Sequence, residues 1–117
     1  MILLISQDLM MSSTVSATVR AEGGTFRYVA SVDRAIAKLD GEPCELLLVD
    51  LQVKDLDWEA LEGLLASVPR SIAYAQHVNI EGLRKGRQLS FDEVLTRGQL
   101  HGSIGAIIGG LDDIASL

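Results

Sequence analysis

The chain is 117 residues long, 48% hydrophobic and 22% charged, with a formal charge of −6 at pH 7. That length holds one hydrophobic core, and the composition excludes a disordered or fibrous chain. The acidic balance argues against direct nucleic-acid binding, which rests on clustered Lys and Arg that neutralise phosphates.

A first strand is expected over residues 2–6, where the apolar run is too short for a helix and stops at Ser6 and Gln7. The same run lacks a basic flank and is too short for a signal peptide or a membrane span. Met11, Val15 and Thr18 mark a first helix. Gly23 and Gly24 turn the chain into a second strand over 26–30, and Ser31 precedes a short amphipathic helix carrying Val32, Ile36 and Leu39. The third strand, 45–50, ends on Asp50. Asp57 is placed to cap a third helix, in which Leu61, Leu64, Leu65 and Val68 recur at helical spacing. A fourth strand follows at 71–75, a short helix with Ile80 and Leu83, and a fifth strand at 93–96. Ile104, Ile107, Ile108 and Leu111 define a last helix, whose Gly105, Gly109 and Gly110 lower its intrinsic propensity.

Strict alternation of strand and helix, with strands apolar on both faces, predicts an α/β fold: a doubly wound five-stranded parallel sheet with helices on both faces. One domain is expected over 1–117, with no effector domain after Leu117. In such sheets function gathers beyond the C-terminal strand ends, here Ser6, Gln7 and Asp8, then Asp50, then Ala75 and Gln76, then Arg97. The lone Cys44 can form no internal disulfide and no thiolate cluster, which points to a cytoplasmic protein. Beside Pro43 at a strand entrance, it reads as a small buried hydrophobe.

The segment ELLLVDLQVKDLDWEAL, Glu45 to Leu61, resembles the third strand, phosphoacceptor loop and third helix of response-regulator receiver domains, the CheY-like family with a flavodoxin-like fold. Asp50 falls on the acceptor aspartate and Asp57 on the loop aspartate, while Lys54, Asp55 and Trp58 replace the family's Pro, Gly and Gly. ILLISQD resembles the first strand with its acidic pair, and FDEVLTRGQL the fifth strand with its Lys-Pro, so the resemblance covers nearly the whole chain in register. The departures lie at the chemistry. Ser6 and Gln7 stand at the acidic pair with Asp8 one place later, Ala75 stands at the Ser/Thr, and Arg97-Gly98 at the Lys-Pro.

In that family, phosphoryl transfer to Asp needs Mg²⁺ held by carboxylates, because the metal neutralises charge on the phosphoryl oxygens. Ser6 and Gln7 offer only neutral oxygens, so no cofactor is expected beyond weak magnesium, with Asp8 and Asp50 the only weak metal candidates. Asp8 becomes a ligand only if the first strand slips by one residue, which would reverse the faces of its side chains. Asp50 is either the acceptor or a loop-entry aspartate bonded to backbone. Arg97 is either a solvated residue or the partner of Asp50 in a standing ion pair that substitutes for the switch. Ala75 lacks the hydroxyl that follows the phosphoryl group in the family. His77 and His101 have no acidic partner at metal spacing and take no role. Trp58 is expected to cover apolar surface rather than shield Asp50. Ser12, Ser13 and Thr14 at a helix start are similar to flavodoxin phosphate loops but lack a glycine. No GxGxxG, Walker loop, GxSxG or HExxH is present.

Three functions follow. The first is a non-enzymatic pseudo-receiver, a protein-interaction module in signal transduction that is not switched by magnesium-dependent aspartyl phosphorylation. The second is a phosphoacceptor using Asp50 in a two-component phosphorelay. The third is a small flavodoxin-like ligand-binding protein. The expected partner is a protein, with neither nucleic acid nor membrane. A homodimer through the fourth helix, fifth strand and fifth helix is the form the resemblance implies.

Overall fold

Strands form where the apolar runs were expected, because short segments rich in Leu, Ile and Val that are apolar on both faces can be buried only inside a sheet. The computed structural model describes residues 1–111; residues 112–117, the end of the single domain expected over 1–117, lie outside the described residues. The elements are β1 (Ile2–Ile5), α1 (Leu9–Ala21), β2 (Phe26–Val29), α2 (Val32–Leu39), β3 (Leu46–Asp50), α3 (Trp58–Leu65), β4 (Ser71–Ala75), α4 (Ile80–Gln88), β5 (Glu93–Thr96) and α5 (Arg97–Gly109). All strand pairs are parallel, in the order β2-β1-β3-β4-β5. The doubly wound five-stranded sheet read from the sequence is therefore the fold. No helix among the described residues is long and apolar enough to cross a membrane.

The two faces of the sheet carry separate halves of the core. Leu3, Ile5, Leu47, Val49 and Ala73 pack against α2, α3 and α4, through Ala35, Leu61, Leu65 and Leu83. Ile2, Leu4, Leu46, Leu48 and Ile72 pack against α1 and α5, through Met11, Val15, Leu100 and Ile104. The period-2 alternation of the strands thus divides one apolar run between two helical layers.

Three helices turn differently from expectation. In α2, Ala35 is fully buried while Ile36 is 45% exposed, because the Ser31 cap starts the helix so that positions i, i+3 and i+7 meet the sheet. In α1, Val19 completes the buried stripe in place of the half-buried Thr18. In α4, Leu83 is buried with Gly82 and Gly86, while Ile80 is 74% exposed.

Two backbone features set the strength of local structure. The glycine-rich α5 is held at its start by a capping box: Thr96 Oγ1 accepts from Gln99 N–H at 3.1 Å, and Gln99 Oε1 accepts from Thr96 N–H at 2.9 Å. Asp55, where the receiver loop has Gly, lies in the left-handed region with φ 57°. Gly105→Ala, where an added methyl group meets nothing within 4 Å, and Asp55→Gly are each expected to stabilise the fold by about 0.5–1 kcal/mol. The check is the midpoint of urea denaturation for each variant; an unchanged or lower midpoint would contradict it.

Candidate functional site

The parallel register places three polar side chains side by side across the middle of the sheet. Ile5 pairs with Val49, and Asp50 pairs with Tyr74, so Ser6, the residue after β1, stands level with Asp50 at the C-terminal ends of the strands. Ser6 is 1% exposed, Asp50 8% and Tyr74 1%. Ser6 Oγ donates to Asp50 Oδ2 at 2.9 Å, accepts from Asp8 N–H at 2.9 Å, and lies 3.2 Å from the Tyr74 hydroxyl. A serine hydroxyl has one proton and two lone pairs. With the proton given to Asp50, Tyr74 must donate to Ser6, and every bonding position of this oxygen is filled. Asp50 Oδ1 accepts from Gln52 N–H at 2.9 Å, so both oxygens of the carboxylate are engaged.

Burial pushes the Asp50 carboxyl above the usual range, against the hydrogen bonds from Gln52 and Ser6; the negative charge of Asp8 adds to the rise and Arg97 opposes it. Burial likewise raises the Tyr74 hydroxyl strongly, so it stays a donor. Asp8 behaves in the opposite way. Burial works to raise it, but the bond from Arg97 and those from the Met11 and Met10 amides bring it below the usual carboxylate range.

The standing Asp50–Arg97 pair is not formed. Arg97 Nε donates to Asp8 Oδ2 at 2.9 Å, while Asp8 Oδ1 caps α1 by accepting from Met10 and Met11 N–H at 3.0 and 3.1 Å. The physical reason is placement. Asp50 sits in the buried row with its oxygens already satisfied, whereas Arg97, at the start of α5, faces the β1–α1 loop and its more exposed carboxylate. The hydrogen bond that Arg97 donates to Asp8 raises the guanidinium further, against the opposing effect of burial. Nor does β1 slip: Ile2 to Ile5 pair in step with Leu46 to Val49, which keeps Asp8 out of the row.

Above the row lies a cavity of about 250 Å³. Gln7, Gln52 and Gln76 line its wall, with Asp8 and Arg97 on one side and Asp50 and Tyr74 beneath. Gln52 Oε1 accepts from Gln76 N–H at 2.7 Å, tying the β3–α3 loop to the end of β4. Ala75 is buried and contributes no polar group. Among the described residues, no group of three or more His, Cys, Asp or Glu could hold a metal ion.

Tyr74 and Gln52 were not singled out from the sequence. Tyr74 was concealed inside the apolar run of β4; the signal that finds it is the parallel register, which sets it opposite Asp50. Trp58 lies outside the cavity and packs on the α2–α3–α4 half of the core, with Lys85 Nζ 5.2 Å from its ring centroid. Cys44 is half-buried and donates to the Leu46 carbonyl at 3.3 Å, and burial pushes its thiol up. His77 and His101 are exposed. Ser12, Ser13 and Thr14 lie within α1, whose N-cap is Asp8, and so form no phosphate loop.

No protein-family model matches the chain, and no curated protein matches it in sequence. Solved structures do. The receiver domain of NtrX from Brucella abortus superposes with a TM-score of 0.76 at 15% identity, covering 93% of this chain and 95% of that one. The response regulator receiver domain protein (CheY-like) from Methanospirillum hungatei gives 0.71 at 19%, covering 92% of each chain. The beryllofluoride-activated NtrC4 receiver domain dimer gives 0.71 at 16%, covering 92% and 95%. The fold is that of the CheY-like response-regulator receiver domain.

Proposed function

We propose that the chain is a single atypical receiver domain over 1–117, a non-enzymatic module of signal transduction that binds a protein partner in the cytoplasm and is not switched by aspartyl phosphorylation. The carrying observation is that all four oxygens of Asp8 and Asp50 already accept hydrogen bonds within the protein. A magnesium ion does not fit this donor set. On the lone pairs left open it would sit beside the fixed guanidinium charge of Arg97, with only neutral amides to complete its shell. Acetyl phosphate has no metal to neutralise its charge as it approaches Asp50, and the saturated Ser6 gives the carboxylate no freedom to turn.

The partner surface, a second copy of the chain included, is placed on the α4–β5–α5 face because the resemblance implies it; one structural neighbour, the NtrC4 receiver domain, is a dimer. Ile80, 74% exposed at the start of α4, offers an apolar side chain on that helix.

The phosphoacceptor reading keeps one observation in its favour, the position of Asp50 at the end of β3. Incubation with acetyl phosphate and Mg²⁺, followed by intact-mass measurement, separates the two. The expected result is no added phosphoryl group in either the native chain or Asp50→Asn. Stoichiometric, magnesium-dependent addition that disappears in Asp50→Asn would establish the phosphoacceptor instead.

A further inference from the structure

A second concavity lies away from Asp50, between α1 and the edge strand β2. It is a groove of about 670 Å³, within the range of small-ligand sites. Its floor is aromatic: the rings of Phe26 and Tyr28 lie 6.4 Å apart at an interplanar angle of 23°, and Tyr28 is 51% exposed. Ser12 and Ser13 from α1 line the opposite wall. Arg20 and Arg27 are the only charged residues in the lining, and no carboxylate faces it among the described residues. In a chain of net charge −6, this is a local reversal of sign.

Ser12 supplies an independent observation. It is 6% exposed, and its Oγ has no hydrogen-bond partner among the described residues. A buried hydroxyl without a partner is costly, and because Ser12 lies on the groove wall, a rotation of its side chain would bring the hydroxyl to a polar ligand atom.

We infer that this groove binds a nucleoside monophosphate, with the base against Phe26 and Tyr28 and the phosphate held by Arg20, Arg27 and the α1 hydroxyls. Aromatic side chains bind bases by stacking, and arginines match phosphate oxygens in a fork. The alternatives fit less well. A polynucleotide meets the repulsion of an acidic protein with only two cations in contact. An extended acidic peptide would pair with the open edge of β2, but Arg27 Nη1 already donates to the Phe26 carbonyl at 2.8 Å. Thr25 O and Val29 O point to β1, so by strand alternation the Phe26 carbonyl faces that open edge, which Arg27 covers.

The test is titration of the full chain with adenosine 5′-monophosphate, followed by backbone NMR and calorimetry. Shifts should centre on Ser12, Ser13, Arg20 and Tyr28 and leave the residues around Asp50 unmoved. Arg20→Ala, at an exposed site where the fold is unaffected, should weaken binding about tenfold or more, and adenosine or inorganic phosphate alone should bind weaker by a similar factor. Ser12→Ala should weaken binding while raising the thermal midpoint of the free protein, a combination that a purely structural serine does not produce. Four results would overturn the inference: no shift at millimolar nucleotide, phosphate binding as tightly as the nucleotide, an oligoglutamate peptide shifting the groove when the nucleotide does not, or affinity unchanged in Arg20→Ala.

Discussion

Ser6→Ala is expected to lower the stability of the fold by about 3–5 kcal/mol, because one deletion strands two buried groups and one partly buried group, which cost roughly 1–3 kcal/mol each when unpaired. Asp50 Oδ2 loses its donor, the Asp8 amide loses its acceptor, and the Tyr74 hydroxyl loses the atom it donates to. Tyr74→Phe is the contrasting variant. It removes a single donor and leaves the serine with two of its three partners, so its cost should be about 1 kcal/mol. Against the roughly 5–15 kcal/mol of a typical domain, Ser6→Ala would leave this one marginal. Urea denaturation of both variants decides the matter: equal costs near 1 kcal/mol would show that water or a rotated side chain replaces the serine, and that the row is not a cooperative unit.

Asp50→Asn should do the reverse and gain stability relative to the native protein as pH rises, because it removes a buried charge left without a cation in contact. The cause is burial, which raises the folded pKa of Asp50 above its unfolded value despite the bonds from Gln52 and Ser6. A raised carboxyl binds its proton more tightly in the folded state, so the native protein loses stability as pH rises from about 4 through the folded pKa, and the loss is complete above it. Below about pH 4 the carboxyl is protonated in both states, and the advantage of the variant should vanish. Asp8 contributes with the opposite sign: its lowered pKa gives stability that is present above the usual carboxylate value and lost on acidification through its folded pKa. The informative quantity is therefore the difference between variant and native protein at each pH, in which Asp8 cancels. A difference independent of pH would refute the assignment.

The architecture was legible because the three inner strands are short apolar runs, the two edge strands are weaker runs of the same length, and most helical faces repeat at 3.6 residues. Expected and observed strands differ by one residue at most, as at Ser6, which leaves β1 while still donating its N–H to the Val29 carbonyl at 2.9 Å. The site was legible as a set of positions but not as a set of bonds. Which carboxylate takes Arg97 depends on the path of the chain between β5 and α5, and no spacing along the sequence encodes it. Tyr74 was hidden for a different reason. A tyrosine in an apolar run reads as core, and only the alignment of β4 on β3 shows that its hydroxyl ends on Ser6. Ile36 failed as a core residue because a short helix tolerates either of two adjacent faces until the cap and the sheet select one.

The division of the core between the two sheet faces has a consequence for the order in which the protein can be completed during synthesis. β1 lies between β2 and β3, so the first three strands can associate once residue 50 is available. Their α2–α3 side can then close as the next elements emerge. The other side cannot. Met11, Val15 and Val19 of α1 share their half of the core with Leu100, Ile104, Ile107 and Ile108 of α5, roughly ninety residues later in the chain. Until α5 leaves the ribosome, that flank of the nascent domain keeps a wet apolar stripe, which is the kind of surface that chaperones hold and that neighbouring nascent chains bind.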